Sequence, residues 1–309
     1  MVGYLFAGQG SHYVGMGKDL YDTYPVARLV FDRADMTLGF SLSQLCFQGP
    51  LAELTKTNNA QPAIFTLSIA CWEVFKSVTK NKAIPGDYAA GLSLGEYSAL
   101  VAAEAMRFED AVYLVRRRGE FMEEESVKNP GMMLSIIGLD LSHVREICGQ
   151  TKTEIANLNC PGQVVISGSM VDISRAQKLA QEYGAKMAVL LDVSGAFHSS
   201  FMRGAAVKLA AQIAKTNFVQ PKIPVVSNVT AKPVNSEEEI RDNLIKQVYS
   251  SVLWEDSINF ILLQGVRKFF EFGPGNVLKG LMRRINREAE VVNMGKKGDI
   301  ESVGSAGSK

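Results

Sequence analysis

The chain has 309 residues, 47% hydrophobic and 21% charged, which is length enough for one large domain or two modest ones around a sizeable core. Its 33 Lys and Arg nearly balance 32 Asp and Glu, which speaks against nucleic acid or a membrane surface as the main partner and leaves any charged partner to a local patch. Cys46, Cys71, Cys148 and Cys160 are widely spaced without metal-ligand pairing, and no leader-like or membrane-length apolar run occurs, so a cytoplasmic protein without metal or disulfides is expected.

The segment "VGYLFAGQGS" reads as a short buried strand entering a glycine-rich loop, and "MGKDLYDTYPVARLVFDRADMTL" follows as one helix by the spacing of its apolar residues. Amphipathic helices are expected over 61–80 and 108–126, with a turn and a brief buried strand in "AIPGDYAAG" between them. Strands alternating with helices imply an α/β fold with a mainly parallel sheet. Near residue 127 the order changes to βαββαβ, from "NPGMMLSIIGL" to "AKMAVLL", the split pattern of a ferredoxin-like unit. Elements of the first kind resume at "KIPVVSNV", "KFFEFG" and "NVLKGLMRRI". The expected organisation is therefore a large discontinuous domain, 1–127 and 192–295, with a small domain at 128–191 inserted and a flexible tail at 296–309.

The stretch "DYAAGLSLGEYSAL" places Ser93 between glycines, after a strand and before a helix. A G-x-S-x-G pentapeptide in that setting matches a nucleophile elbow, in which glycines permit the sharp turn that lifts the hydroxyl clear. The competing reading is a serine capping a helix N-terminus. A serine nucleophile needs a base, and the chain has only His12, His143 and His198. His198 is best placed, in "GAFHSS" at the return from the small domain to the large one, where a cleft is expected. "VRRRGEFM" carries Arg116, Arg117 and Arg118 about 100° apart on one helix, so they cannot share a direction. They form either a solvated basic face or a set in which one arginine enters the cleft to bind a carboxylate bidentately.

Together "FAGQGSH", "NAQPAIF", "GLSLGEYSAL", "RRRGEFM", "NLNCPGQVVISG", "GAFHS", "KQVYSSVLW" and "EFGPGNVL" resemble, in this order and over residues 3–295, the malonyl-coenzyme A:acyl carrier protein acyltransferases. Within that family the chain looks most like the discrete enzymes that serve modular polyketide synthases in trans, with the fatty-acid enzyme the nearest alternative. The resemblance implies a hydrolase-like α/β core with an inserted ferredoxin-like subdomain, malonyl-coenzyme A as donor, an acyl carrier protein as acceptor, and no bound cofactor. It makes Ser93 the acylated nucleophile and His198 the base, oriented by the backbone carbonyl of Gln247. Gln9 and Leu94 supply the oxyanion N–H groups, and Arg118 holds the malonyl carboxylate. Phe197 narrows the space beside the α-carbon, while Gln61, Asn159 and Gln163 line the cleft with Leu92.

Three positions depart from the family pattern: Leu92 stands where His is usual, Ala7 where Pro is common and His12 where Gln is common. Leu92 neither donates nor accepts a proton, which weighs against fatty-acid service more than against catalysis. An acyl-clearing serine hydrolase using the same Ser93 and His198, and a catalytically dead docking scaffold, are the rival readings; the retained Arg118 opposes the first and the intact trio opposes the second. Lys279, Arg283, Arg284 and Arg287 in "LKGLMRRINRE" are candidates for meeting an acidic carrier protein, with a merely solvated helix face as the alternative.

Overall fold

A computed structural model describes residues 1–79 and 86–305. The turn expected in "AIPGD" falls mostly on 80–85, and the last four residues are 306–309; both lie outside the described residues.

Strand β1 (Val2–Phe6) runs into the glycine loop, after which come α1 (Lys18–Thr23) and α2 (Pro25–Leu38). The single helix expected there is split at Tyr24. A proline ring disfavours the helical region for the residue before it, and Tyr24 accordingly sits extended at φ −116°, ψ 117°. Short α3 (Leu42–Gln48) and α4 (Leu51–Thr55) lead to α5 (Thr57–Thr79), which is buried along most of its length. Then follow β2 (Tyr88–Gly91), α6 (Gly95–Ala102) and α7 (Phe108–Lys128).

The next six elements are β3 (Met132–Ile137), α8 (Leu141–Thr151), β4 (Glu154–Cys160), β5 (Gln163–Gly168), α9 (Met170–Glu182) and β6 (Met187–Leu190). The chain continues through α10 (Arg203–Ile213), β7 (Val225–Val226), α11 (Glu237–Gln247) and β8 (Val252–Leu253). It closes with α12 (Trp254–Leu263), β9 (Lys268–Phe272), α13 (Val277–Ile285), β10 (Glu290–Met294) and α14 (Lys297–Ser305).

Two sheets organise these elements. The first is wholly parallel in the order β10-β9-β1-β2-β7, and helices α2, α5, α6 and α7 supply the largest apolar cluster against it. Near-continuous apolar strands such as "YLF" suit a parallel sheet covered on both faces. In the second sheet the four strands β6-β3-β5-β4 pair antiparallel, with their own core on α8 and α9, as a ferredoxin-like unit requires. The chain is thus an α/β protein with a mainly parallel core sheet and an inserted ferredoxin-like subdomain.

Two features depart from the sequence reading. Strand β8, far downstream, extends the second sheet by pairing in parallel with β4 at Asn157 and Leu158. Residues 297–305, expected as flexible tail, form helix α14. Ile300 is fully buried, Val303 packs one turn on, Asp299 accepts from the N–H groups of Gly295 and Lys296, and the Lys297 N–H donates to Asp19 at 2.8 Å. Two anchors at i and i+3 suffice to dock so short a helix, yet they are too few to register as a period. Among the described residues, no helix is long and apolar enough to cross a membrane.

Candidate active site

The C-terminal ends of the parallel strands β1, β2, β7 and β9 open on one edge, where crevices of such sheets lie. Gln9 follows β1, Ser93 follows β2 and Asn228 follows β7. Together with the second sheet these loops enclose a cavity of about 190 Å³.

Ser93 sits at the tip of a strand-to-helix turn with φ 52°, a left-handed conformation that costs energy for a residue with a Cβ. The flanking glycines make it possible. A Cβ on Gly91 would lie 1.9 Å from the Gly95 carbonyl carbon, and one on Gly95 would lie 2.2 Å from the Phe6 carbonyl oxygen. Asn228 clamps the turn, accepting from the Ser93 N–H at 2.6 Å and donating to the Gly91 carbonyl at 2.8 Å. The turn has the geometry of an elbow, and Ser93 does not cap the helix, since no side-chain cap bond is made at the start of α6.

The Ser93 hydroxyl lies 2.8 Å from His198 Nε2, and His198 Nδ1 lies 2.7 Å from the Gln247 carbonyl oxygen. A carbonyl can only accept, so the Nδ1 side carries the proton and Nε2 is left to accept from the serine. Burial, reinforced by the Arg118 guanidinium, pushes His198 down to about 4, so the ring is neutral near pH 7 and ready to take a proton. Like Ser93, His198 is held at positive φ, 57°, and Ser167 Oγ donates to the Phe197 carbonyl beside it at 2.6 Å. The other histidines are elsewhere. His12 bonds Thr55, and the exposed His143 faces Asp140.

The three arginines separate as helical geometry demands. Arg118 is buried and points at the cavity, where Nη2 donates to Ser93 Oγ and to Gln247 Oε1, each at 3.1 Å, and Nη1 donates to Gln61 Oε1 at 2.7 Å. Gly119 lets this happen, since a Cβ there would come within 2.8 Å of the Thr57 and Asn58 backbone of α5. Arg116 donates to the Asn58 carbonyl at 2.8 Å. That carbonyl lies four residues before Pro62, which has no N–H to give it, so Arg116 supplies the missing helix bond. Arg117 pairs with Glu120.

Gln9, Leu92, Leu94, Asn159, Gln163 and Phe197 all line the cavity, as expected. Among the described residues the backbone N–H groups of Gln9 and Leu94 have no hydrogen-bond partner, which leaves two donors from two loops for a developing oxyanion. Gln61 does not line the cavity; fully buried on α5, it backs Arg118 instead. Lys279, Arg283, Arg284 and Arg287 are exposed on or beside α13, the helix whose Val277 and Leu281 face the cavity. Arg284 also donates to Gln163 Oε1 at 2.6 Å, joining α13 to the second sheet. Sequence reasoning passed over Asn157, Glu96 and Asn228. Glu96 had a signal, a lone carboxylate among the apolar residues of α6, and Asn228 another, a polar residue ending an apolar strand. Among the described residues, no group of three or more His, Cys, Asp or Glu side chains is arranged to hold a metal ion.

A serine, a neutral imidazole and a cation converge beside two N–H groups that have no partner among the described residues, an arrangement suited to acyl transfer. The chain belongs to the acyl transferase domain family, which matches residues 3–295, and it is an acyltransferase. It is similar to the malonyl CoA-acyl carrier protein transacylase of Bacillus subtilis, 47% identical over 296 residues that cover 94% of this chain and 92% of the relative. Among solved structures it is similar to the malonyl CoA-acyl carrier protein transacylase of Coxiella burnetii, with TM-score 0.94, 37% identity, and coverage of 98% and 96% of the two chains. It is also similar to a malonyl-transacylase solved in complex with its type II PKS acyl-carrier protein, with TM-score 0.93, 38% identity, and coverage of 97% and 98%.

Proposed function

We propose that the enzyme moves a malonyl group from malonyl-coenzyme A to the phosphopantetheine thiol of an acyl carrier protein by a ping-pong route through acyl-Ser93. The observation that carries this reading is the chain from Ser93 Oγ through His198 to the Gln247 carbonyl, with Arg118 Nη2 at 3.1 Å from the same hydroxyl. Ser93 attacks the thioester carbonyl as His198 Nε2 takes its proton, and the N–H groups of Gln9 and Leu94 receive the oxyanion. Collapse breaks the C–S bond, and His198 returns the proton to the departing coenzyme A thiolate. In the second half, the carrier thiol gives its proton to His198 and attacks the ester carbonyl, and Ser93 Oγ leaves with that proton.

Arg118 binds the free malonyl carboxylate, for which its buried guanidinium is suited because burial leaves that charge poorly solvated. Arg118→Ala should cut the preference for malonyl over acetyl donors by about 10- to 100-fold, the worth of an ionic hydrogen-bonded contact. Competition kinetics with the two donors measures it, and an unchanged preference removes Arg118 from this role. Phe197 lines the cavity, and we propose that it crowds the donor's α-carbon and so favours malonyl over methylmalonyl.

The acceptor docks, on this reading, against Lys279, Arg283 and Arg284, which stand outward on the helix whose inner face lines the cavity, and against Arg287 just beyond its end. Arg283→Glu or Arg287→Glu should raise the KM for the carrier several-fold with little change in the KM for malonyl-coenzyme A; equal effects on both would count against a docking face. We place the enzyme in the cytoplasm, which four free cysteine thiols support. We further propose a polyketide carrier served in trans, on the strength of Leu92 at the cavity beside Ser93. The relatives fit a fatty-acid carrier equally well, and transfer rates to one carrier of each kind decide between them.

A further inference from the structure

Glu96 is 2% exposed, carries no ion pair among the described residues, and takes no part in the transfer steps above. Its Oε2 accepts from Gln247 Nε2 at 2.6 Å and from the Asn228 N–H at 3.2 Å. Those two residues grip Ser93 from opposite sides, since Asn228 Oδ1 accepts from the Ser93 N–H and Gln247 Nε2 donates to the Ser93 carbonyl at 3.0 Å. Gln247 is also the residue whose carbonyl holds His198 and whose Oε1 receives Arg118.

A glutamine amide presents donors at one end and an acceptor at the other, and rotating it by half a turn exchanges them. Rotated, Gln247 would aim its NH₂ at the Arg118 guanidinium and its oxygen at both the Ser93 carbonyl and Glu96, with every contact repulsive. In its ionised form Glu96 can only accept, and in that form it enforces the productive orientation. From this geometry we infer that Glu96 is a positioning residue: it fixes the Gln247 amide and, through it, holds Arg118 where a donor carboxylate is received beside Ser93.

The inference rests on the proposed malonyl transfer, and the experiment separates the two. Malonyl and acetyl transfer are compared as kcat/KM in the wild type, Glu96→Gln, Glu96→Ala, Gln247→Ala and the double Glu96→Ala/Gln247→Ala variant, with thermal melting recorded for each. Glu96→Gln can keep a carbonyl oxygen toward Gln247 and Asn228 and should retain the donor preference within about threefold, whereas Glu96→Ala should lose about tenfold of it. In the Gln247→Ala background the Glu96→Ala change should add nothing, because the group it acts through is gone. Equal losses for the two donors, or losses that multiply in the double variant, would overturn the inference. Should Glu96→Ala not fold, Glu96→Gln tested alone and in the Gln247→Ala background carries the test: a preference lost by more than tenfold in Glu96→Gln, or lost again in the double variant, overturns it. A wild type that takes no malonyl from malonyl-coenzyme A counts instead against the transfer reading itself.

Discussion

Ser93→Ala is expected to leave no covalent malonyl on the protein after incubation with malonyl-coenzyme A, and to lower transfer by on the order of 10⁴-fold or more. The effect is large because, among the described residues, no second hydroxyl or thiol lines the cavity. The Ser93 hydroxyl is 2.8 Å from a neutral imidazole, whereas Cys46 and Cys71 are fully buried with thiols pushed well above their usual range, and burial also raises the Cys160 thiol near Gln163. Alanine keeps a Cβ at the same φ, so the strained turn and its clamp by Asn228 are preserved. Intact mass reads the outcome directly, and an adduct persisting on the folded variant would remove Ser93 from the reaction.

His198→Ala is expected to slow both half-reactions by about 10²- to 10⁴-fold, measured separately as acyl-enzyme formation and as its discharge to carrier protein. On the proposed route one imidazole serves both steps, so a variant that slowed only one would contradict it. The pH profile gives a second check. Since burial and Arg118 push His198 down to about 4, the base is neutral above that value and becomes unavailable only below it. The acid limb of kcat/KM for malonyl-coenzyme A should therefore fall below about pH 5 rather than near the ordinary histidine value. Glu96 titrates in the same site, pushed up to about 7 by burial against the opposing pull of its hydrogen bonds and of Arg118. A shallow limb near neutrality that disappears in Glu96→Gln belongs to the carboxyl, and the limb that remains belongs to His198.

How much of this was legible in the sequence depended on the distance over which each feature is written. The elbow is local: five residues with two glycines dictate where Ser93 points, and the glycine contacts bear that out. The βαββαβ run is likewise a matter of neighbouring periods, and each of its six elements is present. With three histidines in the chain, finding the one that stands beside Ser93 was a short search. The inner network was not legible, because Asn228 and Gln247 lie 132 and 151 residues after Glu96 and meet it only once the sheet is assembled. Strand β8 escaped for another reason. Two residues have no periodicity, and their state is decided by β4 alongside them. Arg116 shows the middle case, where "NAQPAIF" and "RRRG" each look self-contained until the proline of one leaves a carbonyl for the arginine of the other.

The pairing of β8 with β4 bears on how such an enzyme can be recombined. A chimera that exchanged only the stretch from the end of α7 to the start of α10 would bring in Asn157 and Leu158 from one parent and leave Val252 and Leu253 from the other. The graft would then meet a foreign edge strand at the wall of the cavity, beside the Ser251 hydroxyl that donates to the Ile155 carbonyl. Donor specificity swapped along that cut would come with a mismatched seam. A crossover that carries residues 250–255 together with the insert keeps the seam within one parent, and it is the natural unit of exchange in this fold.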